Sequence, residues 1–338
     1  YGKLSQSEEP LRILIEDVRT LLERAVKADM NNPVAIYNFG RYFVETANYP
    51  SALNLLTNAK DIFEAQEVRN KRDTYKYINT HRLIGELYLD AKKRIQAEES
   101  FVSGINLFEA ENESSGFESD ENIGKMYCDL ADINYFLAGN MDFAKTNYIK
   151  AINNKYDTAS IRYRVGYIQY IDKEYSEALG SFIRAADTKS DDTHLLLALA
   201  NTLSLRNDNY AAQGYYEKLL NILNKERSLH SVLLPQVRED QADIVDTYMK
   251  ATNNIGITLY RLAVNRGDSS MNARSIVNLQ ESLRAWDALT RNPKTMERMS
   301  GSNLAEQNIK YITHPALSFE PQIYTEIPRK MDNEKGLD

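Results

Sequence analysis

The sequence predicts an all-α fold, a solenoid of about six helical hairpins with irregular junctions and an extended C-terminal tail. Two observations carry that expectation. One is a spaced set of small and large residues that recurs along the chain. The other is helical periodicity: Val165, Ile168 and Ile171 fall at three-residue intervals, and Leu179, Phe182 and Ile183 follow the three-or-four spacing of one helix face. Composition agrees. Of 338 residues only 14 are Gly and 8 are Pro, which excludes linker-dominated architectures, and a hydrophobic share of 43% supports a sizeable core.

The recurring set is clearest in "RYRVGYIQYIDKEYSEALGSF", residues 162–182. Gly166 leads to Ala178, Phe182 and Ala185. The same order appears as Gly40, Ala52, Leu56, Ala59, and as Gly85, Ala97, Phe101, Gly104. It appears again as Asp132, Ala144, Tyr148, Ala151, and as Ala200, Ala212, Tyr216, Leu219. A looser copy, Gly256, Ser275, Leu279, Ser282, holds about seven extra residues around "NRGDSSMN". Small residues let two antiparallel helices approach closely, and the large one fills the space between them. "DKEY" and "AGNM" are the short polar turns.

Residues 7–30 read as an amphipathic helix with Ser7 as cap and Pro10 in its first turn, covering the end of the solenoid (segment 1–31). Asn32-Pro33 reads as an N-cap and first helical position, and Asp191-Asp192 as another N-cap. The solenoid spans 32–292. "KDIFEAQEVRNKRDTYKYIN" lengthens its first junction with helix. "FEAENESSGFESDEN" reads as a solvated acidic loop, and residues 221–250 form a long junction broken at Pro235. From 293 to 338, prolines at 315, 321 and 328 among apolar residues read as an extended strap or a disordered end. The chain opens on Tyr1-Gly2-Lys3, which reads as an excised piece.

These segments resemble the tetratricopeptide repeat (TPR) family. The resemblance rests on "YNFGRYFVETANYPSALNLLTNA", "RLIGELYLDAKKRIQAEESFVSG", "YCDLADINYFLAGNMDFAKTNYIKA", "YRVGYIQYIDKEYSEALGSFIRAA" and "LALANTLSLRNDNYAAQGYYEKL", and covers roughly residues 33–290. The steps from Asp132 to Gly166 and from Gly166 to Ala200 are the family's 34 residues, while the other steps are 45, 47 and 56. In composition and loop style the chain also resembles bacterial envelope TPR proteins, those of the spirochaete periplasmic flagellar collar among them. That resemblance implies a periplasmic setting; otherwise the cytoplasm is expected.

The sequence offers little chemistry. His81, His194, His230 and His314 are scattered, Cys128 is the one cysteine, and no phosphate-loop or nucleophile-elbow motif is present, so no cofactor, metal or catalytic residue is expected. A net charge of −7 argues against nucleic acid, and no apolar run is long enough to span a membrane. Arg266-Gly267-Asp268 and the sequon at Asn112 read as ordinary turn and surface sequence. Tyrosine is abundant, with 22 copies. Tyr148 and Tyr175 read as packing residues, whereas Tyr163, Tyr167 and Tyr170 form one stripe. By the resemblance, that stripe lines the concave face, with internal packing against an extended segment such as the tail as the alternative. The resemblance puts Arg41, Arg82, Glu86, Arg164, Asn201, Asn253, Asn254 and Arg261 on the same face. The positions corresponding to a chaperone-tail clamp are Tyr37, Arg41, Leu83, Met126 and Leu130, which disfavours capture of a chaperone's C-terminus. The expected function is a non-enzymatic scaffold for a multiprotein complex. The alternatives are a peptide-binding adaptor or co-chaperone, and the recruiting part of a larger enzyme. Proteins are the expected partners, with self-association open.

Overall fold

Each hairpin is capped where the sequence places polar residues ahead of an apolar run. The Asn32 side chain accepts from the amides of Val34 and Ala35, Asp192 from Leu195, and Thr158 from Ile161. The structure, a computed structural model, describes residues 9–66, 69–225, 237–297, 303–314, 319–332 and 334, without the side chains of 9–15 and 115. No β-strand occurs among the described residues. Two compact units form, one up to Asp157 and the other from Thr158.

The first unit holds α1 (Glu9–Ala28) and three hairpins. These are α2 (Pro33–Glu45) with α3 (Tyr49–Ala65), α4 (Lys71–Asp90) with α5 (Arg94–Ser115), and α6 (Glu121–Asp132) with α7 (Met141–Asn153). A π-helical turn, Ile133–Ala138, continues α6. The second unit holds α8 (Ala159–Ile171) with α9 (Tyr175–Ala186), and α10 (Thr193–Leu205) with α11 (Asn209–Leu223). Its third hairpin is α12 (Ala242–Arg266) with α13 (Ser269–Thr290). The one-turn helix α14 (Pro293–Met296), then α15 (Leu304–Thr313) and an extended tail complete it.

The small–large interlock is literal. A Cβ added to Gly85 would lie 2.5 Å from the Phe101 ring, one at Gly166 2.7 Å from Phe182, and one at Gly40 2.8 Å from Leu56 Cγ. All six large residues, from Leu56 to Leu279, are fully buried. The third repeat has Asp132 where four of the other copies have glycine and one has Ala200, and there the Tyr148 hydroxyl donates to Asp132 Oδ1 at 2.5 Å. The interhelix turns share one left-handed residue: Ala47, Lys92, Gly139, Lys173, Asn207 and Gly267, with φ between 57° and 71°. Gly267 and Asp268 of the Arg-Gly-Asp triplet are thereby accounted for. Gly267 turns the chain, and Asp268 caps α13 by accepting from the amides of Ser270 and Met271.

Two expectations change. The stretch 108–122 is not wholly loop: α5 continues to Ser115, and Phe108 and Phe117 are buried, with Phe117 stacked on Tyr75 at 6.2 Å. Helix also continues past residue 293, through α14 and α15, and the described extended residues are 319–332. Asn292 caps the first of these helices and Asn303 the second. Ser7 and Pro235 lie outside the described residues.

Candidate functional site

In the second unit the first helices of the hairpins present polar side chains to the tail, residues 319–334. The tail passes α15 and α12, then runs between α8 and α10 antiparallel to both. Its contacts step from Asn308 and Asn254 through Asn201 and Tyr170 to Tyr163 and His194.

Two asparagines form two-point clamps on its main chain. Asn308 Nδ2 donates to the Gln322 carbonyl at 2.8 Å, and its Oδ1 accepts from the Gln322 amide at 2.9 Å. Asn254 treats Tyr324 the same way, at 2.8 Å and 2.7 Å. A side-chain amide carries a donor and an acceptor like those of a peptide group, so it pairs with an extended residue as a neighbouring strand does. Asn253 Nδ2 adds a bond to the Gln322 carbonyl at 3.2 Å, and Asn201 Nδ2 one to the Tyr324 carbonyl at 3.0 Å. Asn201, Asn253, Asn254 and Asn308 are all fully buried. They also bond one another, Asn254 to Asn201 Oδ1 at 2.9 Å and Asn308 to Asn253 Oδ1 at 2.9 Å, and Tyr216 braces Asn201 from behind at 2.7 Å.

Further along, the Tyr170 hydroxyl donates to the Thr325 carbonyl at 2.7 Å and the Tyr163 hydroxyl to the Pro328 carbonyl at 2.6 Å. His194 Nδ1 lies 2.9 Å from the Lys330 carbonyl, and the Asp332 amide donates to Asp192 at 2.8 Å. Arg164 pairs with Glu334 at 2.9 Å, with side chains only 6% and 15% exposed. Tail residues Ile323, Tyr324, Ile327 and Met331 are buried. Burial holds the Tyr170 phenol far above its ordinary pKa, and pushes that of Tyr324 up to about 12, so both stay protonated at neutral pH. Burial likewise raises the half-buried Tyr167 phenol, against the opposing charge of Arg329 in the tail.

The structure thus brings Tyr163, Arg164, Tyr170, Asn201, Asn253 and Asn254 onto the tail, with Tyr167 beside it. Arg261 stands behind them, donating to Ser204 Oγ at 3.1 Å. Tyr148 is a core residue, and Tyr175 meets the Tyr170 ring edge-on at 5.6 Å. Sequence reasoning did not name Asn308, and it read His194, Asp192 and Tyr216 as a scattered histidine, a helix cap and a packing residue rather than as parts of this site.

The remaining three candidates, Arg41, Arg82 and Glu86, lie in the first unit and find their partners there. Buried Arg82 donates to Asn79 at 2.6 Å and to Glu86 at 2.5 Å, Lys125 also pairs with Glu86, and Asn79 donates to the Tyr37 hydroxyl. Arg41 pairs with Glu45 one turn on, both largely exposed. Asp129 holds the repeat position that Arg82 and Tyr163 hold. Its Oδ2 is buried without a hydrogen-bond partner, and burial, aided by the Glu86 carboxylate, raises its pKa to about 8. Among the described residues no His, Cys, Asp and Glu cluster is placed to hold a metal ion, and no helix is long and apolar enough to cross a membrane.

Hairpins interlocked by a small–large–small set, recurring at 34-residue steps in mid-chain, define a tetratricopeptide-type repeat fold. No family model and no curated protein matches the chain by sequence. Similar solved structures include the C-terminal part of a TPR repeat-containing protein from Cytophaga hutchinsonii, 16% identical over 85% of this chain and 95% of that one, TM-score 0.48. YrrB, a TPR protein with an unusual peptide-binding site, is 14% identical over 60% of this chain and 91% of its own, TM-score 0.45. PilW, a type IV pilus biogenesis factor, is 14% identical over 71% and 96%, TM-score 0.40.

Proposed function

We propose that the chain is a non-enzymatic scaffold that holds other proteins through the inner faces of its hairpins. The observation that carries this is the buried ladder Asn308, Asn254 and Asn201, a surface whose polar groups are matched by the main chain of an extended polypeptide. A repeat solenoid supplies long surface rather than an enclosed catalytic pocket. In the first unit the Arg82, Glu86 and Lys125 cluster is the corresponding charged face. The likeness in loop style to bacterial envelope TPR proteins is the support for an envelope machine, the flagellar collar among them, as the assembly served. Peptide capture as an adaptor is the second reading, favoured by the extended segment seated on the second unit. Crosslinking mass spectrometry on intact assemblies from native cells tests the proposal. Links from the inner helices to several folded proteins are expected; links confined to this chain would refute the scaffold reading.

A further inference from the structure

The segment 319–332 is held in an unusual way. Most of its polar contacts are made by groove side chains to its main chain, at Gln322, Tyr324, Thr325, Pro328, Lys330 and Asp332. Main-chain bonds are available from any extended peptide and carry no sequence information. Selectivity resides in what remains: Ile323, Tyr324, Ile327 and Met331, which are buried, and Glu334, which meets Arg164. The Tyr324 hydroxyl adds a further constraint by accepting from the Leu304 amide at 3.1 Å, which a phenylalanine would forfeit. Pro328 fits because no groove atom accepts from its position, and its ring favours the extended conformation.

We propose that the tail is an internal, exchangeable occupant of a peptide site in the second unit. The partner is an extended segment of another protein with the tail's own pattern: Ile-Tyr, two residues, Ile-Pro, two residues, an apolar residue, two residues, and an acidic residue. The segment binds antiparallel to α8 and α10, with its tyrosine at the Asn254 clamp and its acidic residue at Arg164. This deepens the scaffold reading and rests on it, since it names what one face of the scaffold takes. The tail competes at the high effective concentration of a tethered ligand, on the order of millimolar for a short tether, so a free partner segment binds the intact chain weakly.

The probe is a fluorescent peptide of residues 319–334, FEPQIYTEIPRKMDNE, titrated against the full chain and a full-chain Tyr324→Ala/Ile327→Ala variant that weakens the tail's hold. The variant is expected to bind the peptide at least about tenfold tighter than the unaltered chain. The peptide N-methylated at its tyrosine, which cannot donate to Asn254 Oδ1, is expected to lose at least about tenfold in affinity. Equal binding by variant and unaltered chain, with the variant's circular dichroism unchanged, overturns the proposal, as does unimpaired binding of the N-methylated peptide. If the variant does not fold, hydrogen exchange on ¹⁵N-labelled unaltered protein decides. Saturating peptide should deprotect the protein's own tail amides, and unchanged protection overturns exchangeability. Tail exchange that yields only dimers in light scattering makes a second copy the occupant and overturns the assignment to another protein. Partner crosslinks without peptide competition sink this inference and leave the scaffold standing, whereas peptide competition without partner crosslinks does the reverse.

Discussion

The same substitution made twice in one hairpin should have opposite effects. Gly166 in α8 and Gly180 in α9 are both helical, and Gly→Ala gains about 1 kcal/mol of helix propensity at each. At Gly180 an added Cβ meets nothing within 4 Å. At Gly166 it would lie 2.7 Å from both Cδ1 and Cε1 of Phe182. Carbon atoms rest at about 3.5–4.0 Å, so the ring must retreat by about 1 Å. Phe182 is fully buried and its ring faces that of Tyr163 with centroids 5.4 Å apart, leaving little room for the retreat. Overpacking of this kind costs about 1–3 kcal/mol. Gly180→Ala should therefore stabilise by about 1 kcal/mol, and Gly166→Ala should range from neutral to destabilising by about 2 kcal/mol. The propensity gain cancels in the comparison, so the gap between the two variants reads the overpacking cost alone. Urea denaturation of both variants measures it, with exchange at the tail amides showing whether the displaced Tyr163 loosens Pro328. A gap below about 0.5 kcal/mol would refute the argument that close approach at the small residues holds the helices together.

Other perturbations are as definite. His81 is buried with Nε2 lacking a hydrogen-bond partner, and burial lowers its pKa to about 4. The unfolded chain therefore binds a proton there that the folded chain refuses, and stability should fall as pH drops below the ordinary histidine range toward 4. Asp129 acts in the other direction. With its pKa raised to about 8 the folded state keeps a proton that the unfolded state has lost, so its contribution falls as pH rises from the ordinary carboxylate range to about 8. Asp129→Asn should flatten that decline in denaturation midpoints measured between pH 5 and pH 8, and an unchanged slope would count against the burial argument. Ala47 sits at φ 57° on the surface, so Ala47→Gly should raise stability by about 0.5–1 kcal/mol, the left-handed strain less the entropy of glycine; a lower melting temperature would contradict it. Asp132→Gly should cost about 1–3 kcal/mol by leaving the buried Tyr148 hydroxyl without its acceptor. Adding Tyr148→Phe recreates the glycine–phenylalanine pair of Gly85 and Phe101, so the double variant should be more stable than the sum of the singles predicts, and additivity would contradict it.

The hairpins were legible because their signal is local. A glycine in four of the six copies, with Asp132 and Ala200 in the others, and a bulky residue sixteen positions on, or twenty-three in the last copy, are dictated by two helices in contact. What the sequence reading missed in the fold has equally physical causes. The prolines near the end read as extended chain, yet Asn292-Pro293 carries the same cap-and-proline signature as Asn32-Pro33, and both begin helices. The acidic run after Phe108 reads as loop because its charges outnumber its apolar residues, while α5 needs only Ile105 and Phe108 on one face to stay docked. Ala47, Lys92 and Lys173 in left-handed conformations could not be read from residue type, because none of them favours that region.

The site was half legible, and the division follows from distance along the chain. The family resemblance places Asn201 and Asn254 on the inner faces, and the tyrosine stripe with them. What they hold lies 70 residues away for the Asn254 clamp and 170 for the Arg164 ion pair, and no spacing rule reaches that far. Burial supplies the missing constraint. Four fully buried asparagines would be costly in a purely structural core, where apolar side chains fill the same volume without needing partners. They are tolerated because an extended main chain satisfies both ends of Asn254 and Asn308, and joins Tyr216 and the neighbouring amides in satisfying Asn201 and Asn253. Water would satisfy the same amides in an open groove. Lifting the tail away therefore costs mainly the apolar burial of Ile323, Tyr324, Ile327 and Met331, and an incoming segment with those side chains recovers it. A polar ladder with an apolar lock is thus a surface on which one extended chain can replace another with little net change in free energy, and a segment of this chain already lies there.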